Sequence, residues 1–179
     1  MAKDYIEFMG KIISKGHASQ VPIGKLTGHQ SGRMWYLPHF GLYHPKKPTQ
    51  IRVVFDSSAQ NEGVSLNGEL FLVLMNSLLG VLLQFRRETT AVTCDIEQIF
   101  HSFHINPEHR DFLRFHWYEK NTPGQRIIEY RMNVHIFGNG PSPAVATFSL
   151  RRTTADGEEE FGENAAAISM STKVRRHAP

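Results

Sequence analysis

Two strand-forming segments separated by a short turn-rich run constrain this chain more than any other feature. The segments FLRFHWY, residues 112–118, and RIIEYRMNV, residues 126–134, are rich in aromatic and β-branched residues, and NTPGQ lies between them. A run of Asn, Pro and Gly between two such segments is typical of a tight reversal. We therefore expect an antiparallel hairpin in the second half of the chain.

Further helix- and strand-forming segments surround this hairpin. Two segments carry apolar residues at helical spacing, and two more begin with Pro, which favours a helix start. Two further segments are short and β-branched, which favours strands. The sequence predicts helices at 3–14, 76–88, 107–112 and from Ser142 through 152, with Ser142 as cap, and strands at 51–56 and 91–96. A helix between two strand groups, followed by a hairpin, predicts an α+β fold with a mainly antiparallel sheet and helices packed on one face.

The pattern also divides the chain into three regions. Residues 1–50 form a helix followed by a loop-rich extension, because Gly, Pro, His and Ser dominate after the first helix. Residues 51–152 carry the regular patterning and form the folded region. Residues 153–179 turn polar, Ala-rich and basic, and predict a disordered tail. A chain of 179 residues is long enough for one sizeable core.

Charge and cysteine content narrow the class of protein. A single cysteine, Cys94, cannot form an internal disulfide, and no apolar run is long enough to span a bilayer, so we expect a cytoplasmic or nuclear protein without a membrane partner. Before Asp56 the chain has eight Lys and Arg residues against two acids. Such a surface attracts anions such as nucleic acid, although an ordinary solvated face would carry the same charges.

An acid closes the predicted strand at 91–96. Asp95 follows the apolar, β-branched run AVTC, so its carboxylate is expected at the edge of a sheet. Mg²⁺ is usually held by one or two carboxylates together with substrate phosphates, which makes Asp95 a candidate metal ligand. The alternative is that Asp95 caps a helix over IEQIFHSF.

Four segments, taken in order, resemble the reverse transcriptases of LTR retrotransposons, most closely the BEL/Pao group. They are KKPTQIRVVFD, AVTCDIEQIFHSF, INPEHRDFLRFHWY and YRMNVHIFGNGPSPAVATFSL, and the resemblance covers residues 35–152. It implies part of the fingers and palm of an RNA-directed DNA polymerase. It also implies Mg²⁺ as cofactor, and an RNA or DNA template-primer and deoxynucleotides as partners.

The resemblance implies roles for individual residues. Asp95 would be the catalytic metal ligand, and the nucleotide-binding residues would be Lys47, Arg52, Phe100 and Gly138. The residues that open the palm helix beneath template and nucleotide would be Ser142, Pro143 and Ala144. A planar Arg fork and a Lys point charge suit a triphosphate, and glycine allows close backbone approach. The residues by themselves are also compatible with solvated cations, a core aromatic at Phe100 and a tight turn at Gly138.

The sequence departs from the family at the second half of its metal site. Two-metal polymerases need carboxylates from two places, and the family supplies the second set from an aromatic-x-Asp-Asp hairpin. This sequence contains no Asp-Asp, which suggests a truncation, a splice into unrelated sequence or a frameshift. We therefore expect weak or absent Mg²⁺ binding and no polymerase activity from this chain alone. The alternative function is a non-catalytic nucleic-acid-binding remnant of a retroelement polyprotein.

Other chemistries fit the sequence less well. FGNGPSP contains G-x-G, but Pro143 stands where a dinucleotide-binding loop needs its third glycine. His101 and His104 have no cysteine partners at zinc-finger spacing, and the chain contains no G-x-S-x-G nucleophile motif.

Overall fold

The computed structural model describes residues 1–26, 34–70 and 96–161. The chain divides into two compact units, the first formed by Met1–Phe71 and Phe100–Ser142 and the second by Leu72–Ile99 and Pro143–Pro179. Helices and mainly antiparallel strand pairs make up the described residues, so the α+β prediction is confirmed. The predicted helix at 76–88 and almost all of the predicted strand at 91–96 lie outside the described residues.

Helix α1 spans Ala2–Ser14, which confirms the helix predicted at 3–14. Met9 and Ile12 are buried on its inner face, and Ile6 and Ile13 pack partly against the same core. The helix ends where Gly16 adopts a φ of 72°, a left-handed conformation that glycine accepts without strain.

A three-stranded antiparallel sheet lies at the centre of the first unit. Its strands are β1 (Ala18–Gln20), β6 (Arg114–Tyr118) and β7 (Ile127–Met132), arranged in the order β1-β7-β6. Strands β6 and β7 form the predicted hairpin, with Phe115 opposite Tyr130. Strand β1 falls in the region predicted to be loop-rich, and it pairs Ala18 with Met132. A three-residue strand carries too little periodicity to be recognised, and its pairing depends on a partner far along the chain.

A second antiparallel hairpin is formed by β2 (His39–His44) and β3 (Lys47–Phe55). Strand β3 covers residues 51–55 of the strand predicted at 51–56 and begins earlier, and a register shift at Tyr43/His44 bends the hairpin near its turn. The strands β4 (Gln60–Asn61) and β5 (Val64–Ser65) form a small ribbon, and two one-turn helices, α2 (Ile23–Leu26) and α3 (Leu66–Glu69), complete this part.

The remaining helices differ from their predictions in type or length. The segment predicted as a helix at 107–112 is a turn followed by a 3-10 helix at Arg110–Leu113, and a second 3-10 helix spans Ile99–Ser102. Helix α4 spans Ser142–Phe161, so it continues beyond 152, where the sequence predicted a disordered tail. An ion pair of 2.8 Å between Arg152 and Asp156, one turn apart, favours this continuation.

The core of the first unit joins the two hairpins to α1. Phe115 and Met132 have no exposed surface. The centroid of the Phe115 ring lies 5.1 Å from that of Phe55 and 5.7 Å from that of Tyr130. Burying an aromatic or Met side chain of this kind stabilises a fold by about 1.5–3 kcal/mol. The core therefore fixes the carboxyl end of β3 against the central sheet.

A charged cluster lies beside this core, and it consists of Lys25, Asp111, Arg114, Glu129 and Arg131. The Asp111 carboxylate accepts hydrogen bonds from Lys25 Nζ at 2.8 Å, from Arg114 Nη2 at 3.0 Å and from Arg131 Nη1 at 3.2 Å. Arg114 also donates to Glu129 at 2.9 Å, and its side chain is only 4% exposed. The cluster thus ties β6 and β7 to α2 and to the 3-10 helix before β6.

The electrostatics of the cluster favour the ionised form of Asp111. Burial acts to raise the pKa of this carboxyl group, but hydrogen bonds from Lys25 and Arg114 and their positive charges outweigh burial and lower the pKa below its ordinary value. Asp111 is therefore a charged acceptor at neutral pH.

Candidate nucleotide site

Arg52 lies on the outer face of the β2–β3 hairpin. Side chains alternate along a strand, and Val53 and Phe55 pack toward the core, so Arg52 is exposed on the opposite side. The register places Leu42 directly opposite Arg52, and Leu42 is also exposed. A guanidinium group in this position presents its planar set of donors to solvent, where an anion can reach it.

Lys47 begins strand β3 and pairs with His44 next to the register shift. The backbone position of Lys47 is therefore at the turn end of the hairpin that carries Arg52. Its side chain lies outside the described part of the structure.

Gly138 lies against the carboxyl end of β3. Its backbone φ is 89°, a value that residues other than glycine rarely adopt. A Cβ atom at this position would be 3.8 Å from the Phe55 carbonyl oxygen. We call residues 137–141 the glycine loop. This loop is therefore held in a conformation that depends on glycine, next to the strand that carries Arg52.

Phe100 lies beside the glycine loop. Its half-buried ring lies 6.2 Å from the ring of Phe137, the first residue of the glycine loop, and Phe137 is 76% exposed. Phe100 is thus a partly exposed ring beside the loop rather than a fully buried core residue. Its position leaves it accessible to a ligand bound at the loop.

The end of the glycine loop leads directly into α4. Ser142 is fully buried, its N–H donates to the Asn139 carbonyl at 3.1 Å, and its hydroxyl is hydrogen-bonded to His135 Nδ1 at 3.2 Å. Burial lowers the pKa of His135, which favours the neutral ring. Ser142 is the first residue of the helix rather than the cap preceding it.

Pro143 and Ala144 occupy the next two positions of α4 and belong to the second compact unit. Ser142 is thus the member of the predicted Ser-Pro-Ala set that the structure joins to the glycine loop.

An unpredicted residue, Asn67, connects the glycine loop to the segment after β3. Its Nδ2 donates to the Gly138 carbonyl and to Ser58 Oγ, both at 2.9 Å, and its Oδ1 accepts from the Gly140 N–H at 2.7 Å. We call these contacts the amide clasp. Asn67 precedes a glycine in the sequence, which signals a turn, but no local pattern indicates partners this far along the chain.

Two further polar residues lie next to the clasp. Asp56 Oδ1 accepts a hydrogen bond from the Ser58 N–H at 2.9 Å, which shapes the turn after β3. The Ser57 side chain is 1% exposed, and its hydroxyl has no hydrogen-bond partner among the described residues. The site therefore contains one buried polar group whose bonding capacity is unused within that part of the chain.

Asp95, the predicted catalytic residue and Mg²⁺ ligand, lies outside the described residues. Across residues 1–26, 34–70 and 96–161, no three His, Cys, Asp or Glu side chains converge as a metal site requires. The described part of the candidate site consists of a cation, glycines and aromatic rings.

Comparison with known proteins adds no family assignment. No protein-family model matches the chain, and no curated protein matches it. Within the described ranges, no helix is long and apolar enough to cross a membrane.

Proposed function

We propose that this chain is the fingers and partial palm of a retrotransposon reverse transcriptase, an RNA-directed DNA polymerase, and that it binds template-primer and nucleotide without polymerising. The observation that carries the proposal is that the glycine loop lies against the end of the strand that carries Arg52 and beside the ring of Phe100. Gly138 contacts the end of β3, Arg52 is exposed three residues earlier on that strand, and Phe100 lies beside the same loop.

Each of these residues suits a deoxynucleotide or a nucleic-acid backbone. Arg52 offers a charged, bidentate donor set for phosphate oxygens. Gly138 lets a sugar or phosphate approach the backbone closely because it carries no side chain. A ring at Phe100 beneath the sugar would leave no room for a 2′-hydroxyl group. With Phe100 in that role, the proposed site would select deoxynucleotides over ribonucleotides.

The proposed lack of polymerase activity follows from the acidic residues of this sequence. The five aspartates of the chain are isolated, and no aromatic-x-Asp-Asp is present. Two-metal phosphoryl transfer requires about three carboxylates from separate segments, which compensate charge on both the attacking and leaving oxygens. Binding and chemistry are thus expected to be separated in this polypeptide.

Equilibrium binding of a fluorescent RNA–DNA primer-template tests the proposal. We expect binding that weakens as salt rises, and a further loss of about three- to tenfold in Arg52→Gln because a phosphate contact is removed. Arg126→Gln is the matched control, since the Arg126 side chain is 73% exposed but lies at the β6–β7 turn. Equal affinities for the two variants, or no binding by the original chain, would contradict the proposal. Primer extension with Mg²⁺ would contradict the proposed inactivity.

A second candidate is a nucleic-acid-binding module that has no nucleotide specificity. Phe40 is 49% exposed and lies on the same face as Leu42 and Arg52, where a base could stack on its ring. This alternative predicts that Phe40→Ala weakens single-strand binding while deoxy- and ribonucleoside triphosphates compete equally. Preferential competition by deoxynucleotides, lost in Phe100→Ala, would favour the polymerase-derived site.

A further inference from the structure

In the amide clasp, the Asn67 side chain makes the two hydrogen bonds that a neighbouring backbone segment would otherwise make. Asn67 donates to the carbonyl of Gly138 and accepts from the N–H of Gly140, so one planar amide satisfies both ends of a three-residue turn. A carboxylate has no donor for the carbonyl, and an apolar side chain has neither group. An Asn or a shape-equivalent amide is therefore required at this position.

Hydrogen bonds also hold the backbone of Asn67, which makes its side chain a rigid support for the loop. Its backbone N–H donates to the Ser57 carbonyl at 2.9 Å, and Ser65 Oγ accepts from the Gly68 N–H at 3.1 Å at the start of α3. Its Nδ2 also holds the Ser58 hydroxyl. These bonds connect the turn after β3, helix α3 and the glycine loop through one half-buried side chain.

The loop depends on this support because its own conformation is unusual. Gly138 has a positive φ, and the neighbouring Phe137 is largely exposed, so little apolar packing holds that end of the loop. Buried contacts are present on the other side, where Asn139 is 5% exposed and Ser142 is fully buried. The clasp thus acts at the exposed half of the loop.

We propose that Asn67 is a positioning residue that fixes the glycine loop in the shape that binds the sugar and phosphate of a nucleotide, an inference that rests on the proposed function. Asn67 acts through Gly138 and Gly140, whose backbone groups it orients. The clasp also sets the distance between the loop and the end of β3. Loss of the amide should consequently loosen the loop and weaken the ligand bound there.

Hydrogen exchange and binding measured on the same variants test this inference. In Asn67→Ala we expect the Gly140 amide to exchange at least about tenfold faster and the RNA–DNA primer-template to bind about fivefold or more weakly. Asn133→Ala is the matched control. The Asn133 amide also accepts from one partner, Ser19 Oγ at 3.1 Å, and donates to another, the Gly16 carbonyl at 2.9 Å, away from the loop. The control should leave Gly140 exchange and binding unchanged.

The two readouts separate the inference from the function on which it rests. Unchanged Gly140 exchange in Asn67→Ala would overturn the clasp, as would a loss of binding no larger than in Asn133→Ala. If the original chain binds no primer-template, the proposed function and the ligand role of the clasp both fail, while faster Gly140 exchange would still establish the clasp as a structural device. If Asn67→Ala does not fold, Asn67→Asp retains the acceptor for Gly140 but places an oxygen against the Gly138 carbonyl, and it should show the same loss of binding.

Discussion

The charged cluster around Asp111 and the amide clasp around Asn67 lie in the same compact unit, and both join segments that are distant in the sequence. The cluster uses full charges, and its Asp111 and Arg114 side chains are 12% and 4% exposed. The clasp uses one neutral amide, and two of its three bonds go to backbone groups of a loop. The two arrangements therefore suit different tasks.

A buried charge is costly when its partner is lost, so the pairing of β6 with β7 depends on the buried members of the cluster, above all Asp111 and Arg114. A neutral hydrogen bond contributes about 1 kcal/mol, which is enough to select one loop conformation without determining whether the unit folds. The charged cluster therefore stabilises the scaffold, whereas the clasp shapes the proposed binding surface.

Removal of the Asp111 charge should produce the largest effect. Asp111→Asn leaves Arg114 and Arg131 without their shared counter-ion and should lower the free energy of unfolding by about 3–5 kcal/mol. Denaturant unfolding measures this loss. Glu7→Gln is the control, because the exposed Glu7–Lys11 pair should contribute less than about 0.5 kcal/mol. Similar losses in the two variants would break the distinction between scaffold and surface charges.

Acid should weaken the fold in two separate pH windows. Burial, together with the charges of His17 and Lys15, lowers the pKa of His101 from 6.5 to about 4. Between these two pH values His101 is protonated in the unfolded chain but not in the folded chain. The free energy of unfolding should fall by about 1–2 kcal/mol as the pH is lowered across this range, after allowance for partial solvent exposure of the ring. His101→Gln should reduce this slope in denaturant unfolding measured from pH 7 to pH 4, and the remainder belongs to other imidazoles whose pKa burial lowers, such as that of His135.

Asp111 titrates in the lower window. Because its folded pKa is depressed, the stability that it contributes is complete above 3.8 and is lost as the pH falls through the lower folded value. The clasp has no titratable group and should not contribute to either window. An unchanged pH slope in His101→Gln would contradict the assignment of the upper window.

The smallest effect is expected at the exposed edge of the cluster. Lys25 is 47% exposed, and Asp111 retains both Arg114 and Arg131 without it, so Lys25→Met should cost less than about 1 kcal/mol. Thermal unfolding compared with Lys11→Met, at an exposed helical pair, checks this value. A loss equal to that of Asp111→Asn would show that all three cations are required.

Local sequence patterns predicted the elements whose signals are local. Helix α1 carries its apolar residues at helical spacing, and the β6–β7 hairpin has turn residues between two strand-forming segments. Strand β1 and the extension of α4 were missed. Three residues give no period, and the exposed second half of α4 has a polar composition that resembles disordered sequence.

The candidate site was predictable to a similar extent. Strand alternation accounts for the exposure of Arg52, and the backbone freedom of glycine accounts for the positive φ of Gly138. The Asn67 contacts could not be predicted, because they depend on the tertiary meeting of α3 with the glycine loop. Asp95 and the magnesium that it was expected to hold stay predictions, since Asp95 lies outside the described residues.

The most direct test of the account is to locate the bound nucleic acid. An RNA–DNA primer-template titrated into ¹⁵N-labelled chain should shift the backbone amide resonances of Arg52, Gly138 and Gly140, and should leave that of Gly124 at the β6–β7 turn unchanged. Shifts centred on Gly124, or no shifts at any concentration that permits measurement, would contradict a polymerase-derived nucleotide site at the glycine loop.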